Sequence, residues 1–364
     1  MRPLEGLTVI AVEQAVAAPF CTARLADAGA RVIKIERPGG DFARGYDATA
    51  RGQSSYFVWL NRGKESQVLD LAAPEGRADL AALIGEADVL VQNLRPGAMA
   101  RMGLDPAELR ERHPRLVTCC ISGYAPDGPR AARKAYDLLI QAESGLAAIT
   151  GGPAEPARVG ISIVDIATGA SAHAAILEAL IRRGVTNEGV GIRLSMFDVI
   201  AEWMTVPLLQ AEGGKPPARV GLAHPSIAPY GAFTAADGTV ILLSIQSERE
   251  WGAFCAAVLG DGALADDPRF ASNVARVANR AETDALVARA LAATDGAAVA
   301  RTLEAADIAF AEVNDMAGLS RHPELRRATV QTPAGPVDLP APAAVFADVP
   351  RALGAVPGLE GDPE

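Results

Sequence analysis

Short apolar runs alternate with helical stretches through the first 120 or so residues, and this alternation constrains the fold more than any other feature. Leu7–Glu13 reads as a strand, Pro19 opens a helix running to about Asp27, Ala28-Gly29-Ala30 turns, and Val32–Glu36 reads as the next strand. A second unit places Pro74-Glu-Gly in the first turn of a helix to about Glu86, followed by strands over Asp88–Gln92 and Leu116–Ser122. Strands separated by helices in this way predict a parallel sheet covered by helices, an α/β architecture of Rossmann-like type. The loop after the first strand is Gln14-Ala-Val-Ala-Ala-Pro19, without the glycine fingerprint of a dinucleotide-binding turn, which counts against NAD or FAD.

With 364 residues the chain is long for one core and fits two domains better. Met196–Gln210 reads as a helix, and Gly213-Gly-Lys-Pro-Pro217 is a linker signal. Beyond it, Phe233–Ser244 is hairpin-like with Asp237-Gly238 as its turn, and helical stretches follow near Glu248–Leu259, Arg280–Ala293 and Ala297–Ala306. From about Pro333 the chain is rich in Pro, Ala and Gly and reads as an extended arm. The expected division is a large domain over 1–210, a smaller α+β domain over 225–325, and an arm over 326–364 that returns to the large domain.

A net charge of −10 argues against non-specific nucleic-acid binding, although a few clustered cations suffice for a phosphorylated ligand. No apolar run reaches the roughly 18 residues of a membrane span, and Glu5 and Glu13 interrupt any secretory core, so no membrane association and a cytoplasmic location are the expectations. Cys21, Cys119, Cys120 and Cys255 form no C-x-x-C pair, and His113, His173, His224 and His322 lie far apart. Free thiols and no metal are expected.

Asp165 lies in Ile161-Ser-Ile-Val-Asp-Ile-Ala-Thr-Gly169, where a strand-like stretch gives way to a helix read over Ile166–Arg183. At that helix start it is either an N-cap or an ionised carboxylate free to attack an acyl group, and the local residues alone favour the cap. Arg37, Asn93-Leu-Arg-Pro-Gly97, Arg101-Met102, Arg130, Arg133, Lys134 and Tyr136 lie near strand C-termini, where a parallel sheet binds ligands. His224 and Arg44 are candidates for holding a second carboxylate, and each is equally well read as structural or solvated.

The chain resembles the class III CoA-transferase family, which also contains α-methylacyl-CoA racemases. The resemblance rests on Leu4-Glu-Gly-Leu-Thr-Val-Ile, Leu25-Ala-Asp-Ala-Gly-Ala-Arg-Val-Ile-Lys-Ile-Glu-Arg37, Asn61-Arg-Gly-Lys-Glu-Ser, Ala87-Asp-Val-Leu-Val-Gln-Asn-Leu-Arg-Pro-Gly97, Tyr136-Asp-Leu-Leu-Ile-Gln-Ala, the Asp165 segment and Pro229-Tyr-Gly-Ala-Phe, all in order. It implies an interlocked homodimer and Asp165 as the catalytic residue. It also implies contacts to coenzyme A, bound as the acyl-CoA substrate, from Arg37, Asn93, Arg101, Met102, Lys134, Tyr136, Ala17 and Leu69. No metal or redox cofactor is implied. Two departures, Val16 where a glutamine is usual and Gly221-Leu-Ala-His-Pro-Ser226 in place of a glycine-rich loop, put oxalate in doubt as substrate. The reaction expected is CoA transfer from an acyl-CoA to a carboxylic acid, a small dicarboxylate first, through aspartyl intermediates. A racemase would need a histidine where Tyr136 stands, and tyrosine, with a reference pKa of about 10, is a poor base near neutrality. A non-catalytic acyl-CoA-binding relative is the third reading.

Overall fold

The computed structural model describes residues 2–349 and 353–359; the rest of the C-terminal arm read from sequence, 350–352 and 360–364, lies outside them. Met1–Ala147, Arg158–Leu209 and Arg326–Glu364 make up one unit, and Ala148–Ala157 with Gln210–Leu325 a second. The first unit runs β1 (Thr8–Val12), α1 (Ala17–Asp27), β2 (Arg31–Glu36), α2 (Ser55–Asn61), β3 (Lys64–Val68), α3 (Pro74–Gly85), β4 (Val89–Gln92), α4 (Ala98–Arg101), α5 (Pro106–Arg112) and β5 (Val117–Ser122). It continues through α6 (Asp137–Glu143), α7 (Leu146–Ile149), α8 (Ile163–Thr186), β6 (Gly191–Ser195), α9 (Met196–Trp203) and α10 (Thr205–Glu212), the last of which reaches into the second unit.

All six strands are parallel and lie in the order β3-β2-β1-β4-β5-β6. The order reverses between β1 and β4, so the crevice beyond their C-terminal ends is the natural ligand site of such a sheet. β1, β2, β4 and β5 are mostly buried, as strands covered on both faces must be, and Lys34 and Glu36 of β2 are charges buried among their apolar residues. β3, Lys-Glu-Ser-Gln-Val, carries no apolar run and is an edge strand that sequence reading passes over.

One face of the sheet is covered by α1 and α8. Val164, Ala167, Ala172, Ile176 and Ala179 are buried along α8; Ala172, Ile176 and Ala179 share a core with Ala17, Ala18, Cys21 and Leu25 of α1, and Val164 and Ala167 pack with Ile140 and Ile200. The two helices touch backbone to backbone: a Cβ at Gly169 would stand 2.4 Å from the Ala17 carbonyl oxygen and 3.0 Å from Phe20. By length and hydropathy alone α8 would pass for a membrane span, so the apolar-run test was not decisive here.

Three boundaries differ from the sequence reading. α8 begins at Ile163, three residues early, and no strand precedes it. Met196–Gln210 is two helices that break at Met204, because Pro207 has no N–H to give to Trp203. The arm contains an antiparallel hairpin of Arg327–Val330 with Val337–Pro340, and Val330 and Val356 pack on Phe57 and Val58.

The second unit holds a sheet of β7 (Tyr230–Thr234), β8 (Val240–Ser244) and β9 (Ala309–Glu312) around Trp251, Phe254, Phe270 and Leu291. Arg276, 1% exposed, lies under Trp251 and donates to the carbonyls of Ala228 and Phe270.

Candidate active site

At the switch point the loop after β1 is clamped from both sides. The Asn93 side chain, just past β4, accepts the Gln14 N–H at 3.0 Å and donates to the Gln14 carbonyl at 2.8 Å. From the β2 side, Lys34 Nζ reaches the Glu13 carbonyl at 3.4 Å. Ala15 then adopts φ +64°, the left-handed conformation a glycine would ordinarily supply. Ala17 and Ala18 follow at the start of α1, and among the described residues their N–H groups meet no acceptor, as is usual for a helix's first turn.

A cavity of about 510 Å³ opens beside this loop. Gln14 to Ala17 form one wall, Phe42, Tyr46 and Tyr56 another, and Tyr136, Ser162 and Asp165 a third, with Arg95, Arg133, Lys134 and Arg158 at its margins. Two smaller cavities adjoin it through shared residues. One, about 230 Å³, contains Arg37 and Leu69, and the other, about 160 Å³, contains Cys120 and Arg193.

Asp165 is the third residue of α8 and is not its cap. The N-cap position is Ser162, whose side chain makes no capping bond. The cap comes from Asp137 at the start of α6, whose Oδ2 accepts the N–H groups of Val164 at 2.7 Å and Asp165 at 3.2 Å. Gln141, fully buried, steadies the other oxygen of Asp137 at 2.6 Å and also receives the Val159 N–H at 2.9 Å. Asp137 thus takes up the donors that would otherwise favour an ionised Asp165. Among the described residues nothing donates to the Asp165 carboxylate. Burial first, and the neighbouring Asp137 charge second, push its pKa from 3.8 up to about 7. Burial and the Asp41 and Asp165 charges raise Tyr46 to about 12.

Of the residues singled out from the sequence, Asp165, Lys134, Tyr136, Asn93 and Ala17 share the main cavity. Arg37 and Leu69 face the adjoining one, where Arg37 Nε donates to the Gly40 carbonyl. Asn93 lines the cavity, but its amide is occupied by Gln14. Arg101 is exposed and lines none of these three cavities, and Met102 packs against the Leu80–Leu104–Leu109 cluster. Arg44 is held by Glu36 at 2.7 and 2.8 Å and stacks on Phe57 at 3.8 Å, so it is not free for a substrate carboxylate. His224, in the second unit, stacks on Tyr230.

Sequence reading missed Arg95, although it stands inside the quoted Asn93–Gly97 motif, and Arg158, which no local pattern marks. Arg158 is tethered to the Val159 and Gly160 carbonyls. Among the described residues no carboxylate pairs with Arg95, Lys134 or Arg158, whereas Arg130 and Arg133 both pair with Glu143. Among those residues, too, no group of three or more His, Cys, Asp or Glu side chains is placed to hold a metal ion.

Comparison with known proteins bears on this geometry. The family model described as CoA-transferase family III matches residues 4–360. Succinate–glutarate CoA-transferase of Agrobacterium fabrum is 38% identical over 295 residues, covering 78% of this chain and 73% of that protein. Acetyl-CoA:oxalate CoA-transferase of Acetobacter aceti is 37% identical over 342 residues, covering 93% and 87%. Among solved structures, a CAIB/BAIF family protein from Brucella suis superposes with a TM-score of 0.85 at 33% identity, over 98% of this chain and 96% of the other. Rv3272 from M. tuberculosis gives 0.86 at 28%, over 98% and 97%.

Proposed function

The chain belongs to CoA-transferase family III and is an enzyme that transfers CoA; from that premise we propose that it moves CoA from an acyl-CoA to a small dicarboxylic acid through covalent intermediates on Asp165. The observation that carries the reading is an Asp165 carboxylate that accepts no hydrogen bond among the described residues, in a cavity edged by Arg95, Lys134 and Arg158, which have no carboxylate partners among those residues. A carboxylate solvated by so few donors is a better nucleophile than an ordinary surface aspartate once it is ionised.

The steps follow from that geometry. An Asp165 oxygen attacks the thioester carbonyl, the C–S bond breaks, and a mixed anhydride and CoA thiolate form. The thiolate attacks the aspartyl carbonyl and expels the donor acid, which leaves an aspartyl-CoA thioester. The acceptor carboxylate attacks that thioester, thiolate leaves again, and its attack on the acceptor's acyl carbon releases Asp165 and the new acyl-CoA. Holding the thiolate in place makes each exchange effectively unimolecular. The tetrahedral oxyanions meet the free N–H groups of Ala17 and Ala18 at the start of α1, because those at the start of α8 already serve Asp137.

The three adjoining cavities run along the C-terminal edge of the sheet and suit a long, phosphorylated ligand. Arg95, Lys134 and, in the neighbouring cavity, Arg37 are its anionic partners, and Arg158 meets the second carboxylate of the acid. The relatives named for glutarate, oxalate and mesaconate transfer are consistent with a dicarboxylate. The test is incubation with a 2-methylacyl-CoA in deuterated water, with and without a carboxylate acceptor. CoA reaches the acceptor while α-deuterium stays at background, because Tyr136 does not supply the second base a racemisation needs. Rapid deuterium uptake with no transfer would overturn the reading in favour of a racemase.

The working form is a homodimer whose protomers interlock. Supporting this, Ile181 and Val185 on α8 are 72% and 87% exposed, and Trp203, Val206, Leu208 and Leu209 on α9 and α10 are all more than half exposed. So many large apolar side chains facing water mark a surface that another chain covers. Sedimentation at nanomolar dilution tests it: a dimer persists, and a stable folded monomer would contradict it.

A further inference from the structure

Beyond the residues that line the cavity by contact with its interior, one buried carboxylate ties two of its walls together. Asp41 is 5% exposed. Its Oδ1 accepts the Ala15 N–H at 3.3 Å and the Ala43 N–H at 3.0 Å, while Oδ2 accepts from Lys34 Nζ at 2.8 Å. Ala15 belongs to the wall that leads into α1. Ala43 belongs to the 3-10 turn Phe42–Gly45, which carries Phe42 and, one residue on, Tyr46 to the adjoining wall. The Asp41 N–H is itself fixed by Glu36 at 2.7 Å, so the carboxylate is not free to follow either wall.

The left-handed Ala15 makes this arrangement consequential. An alanine keeps φ +64° only where its surroundings over-determine it, and Asp41 is the side chain that holds its N–H. Two residues later α1 begins, with the unpaired Ala17 and Ala18 N–H groups. If Ala15 relaxed to a right-handed or extended conformation, the first turn of α1 would be re-aimed relative to Asp165.

We propose that Asp41 is a positioning residue for acyl transfer, holding the Ala15 turn and the Phe42–Tyr46 wall in fixed relation across the cavity. It does not line the main cavity and reaches only the adjoining one beside Arg37, and the proposal rests on the reading of the main cavity as the reaction site. Among the described residues Arg95 and Lys134, two of the cations assigned to CoA, make no hydrogen bond with it, so its loss separates turnover from binding.

The test uses a Lys34→Met background, in which Asp41 can be changed without leaving a buried lysine unpaired. Lys34→Met/Asp41→Asn keeps an oxygen for the Ala15 and Ala43 N–H groups, and Lys34→Met/Asp41→Ala keeps none; the two have the same charge. The asparagine pair retains the kcat of Lys34→Met within about 3-fold. The alanine pair loses between about 10- and 100-fold in kcat, with KM for acyl-CoA changed less than about 2-fold, as misplacement by a fraction of an ångström to one ångström predicts. Equal kcat in the two pairs, with Asp165 still essential, would overturn the role of Asp41 alone; a fully active Asp165→Ala enzyme would defeat the reading of the site and the proposal with it. Should the alanine pair not fold, hydrogen exchange of the wild-type Ala15 amide decides: protection comparable to the interior of α1 supports the clamp, and exchange at open-loop rates overturns it.

Discussion

An Asp165→Ala enzyme is expected to lose at least about 10³-fold in kcat while binding CoA as before, since the nucleophile is removed and no cation is touched. Hydroxylamine added to the native enzyme with donor alone should trap an activated carboxyl at this residue, and full activity in the variant would end the assignment. The elevated pKa adds two signatures. The free enzyme has its nucleophile ionised only above about pH 7, so kcat/KM for acyl-CoA should rise with pH through that value and then level. Asp137→Asn, which keeps an oxygen for the α8 cap but removes the neighbouring charge, should move that limb to lower pH. Stability should respond in the opposite sense to activity. A carboxyl that binds its proton more tightly in the fold than in the unfolded chain lowers stability as pH rises from about 4 to about 7, and the loss persists above 7. Asp165→Asn should therefore melt higher than the wild type at pH 8. Each factor of ten in proton affinity is about 1.4 kcal/mol, so the rise from 3.8 to about 7 sets a ceiling of ~4 kcal/mol. An asparagine variant that is less stable at pH 8 but not at pH 5 would contradict this account.

The second large effect lies behind the site. Glu13 accepts from Lys64 at 2.6 Å and from Thr22 at 2.7 Å, with Lys34 3.6 Å away, and all three ionised side chains are wholly buried. With Asp41 the group balances two positive charges against two negative. Burial alone would raise the Glu13 carboxyl, but Lys64 and Lys34 bring it below the usual range. Burial pulls Lys64 down to about 8 despite Glu13. Glu13→Gln strands a positive charge in the interior and should cost about 3–5 kcal/mol of stability, enough to lower the melting temperature by many degrees. The deficit should shrink between pH 6.5 and 9. Lys64 without Glu13 sheds its proton more easily in the fold than in the unfolded chain, and such a lysine makes stability rise with pH. A deficit equal at both pH values would sink the explanation.

Neither effect is visible from residue types alone. Glu13 reads in the sequence as an interruption of an apolar run, and only the sheet brings Lys34 and Lys64 beneath it. Strands β1, β2, β4 and β5 and helix α1 were legible because buried parallel strands are rich in apolar residues and a helix of small residues has few other places to go. β3 and β6 were not, because the edge strands of this sheet are short and partly polar. The start of α8 was misjudged for a related reason. Its cap comes from Asp137, about 27 residues away, and local rules look for a cap next to the helix. Asp165, Tyr136 and Lys134 were legible as a set only through the order of several motifs. Arg95 and Arg158 became candidates once pairing could be inspected, since a cation's lack of a partner is a tertiary fact.

The contact at Gly169 gives the enzyme a property of a machined joint. On the proposed reading the attacking carboxylate rides on α8, the N–H groups for the oxyanion ride on α1, and the acyl carbonyl would have to fit between them. Because α8 meets the Ala17 carbonyl at Gly169 with no side chain of its own in between, the two helices are packed there as closely as main chains allow. The precision of the reaction is set by a part too small to flex.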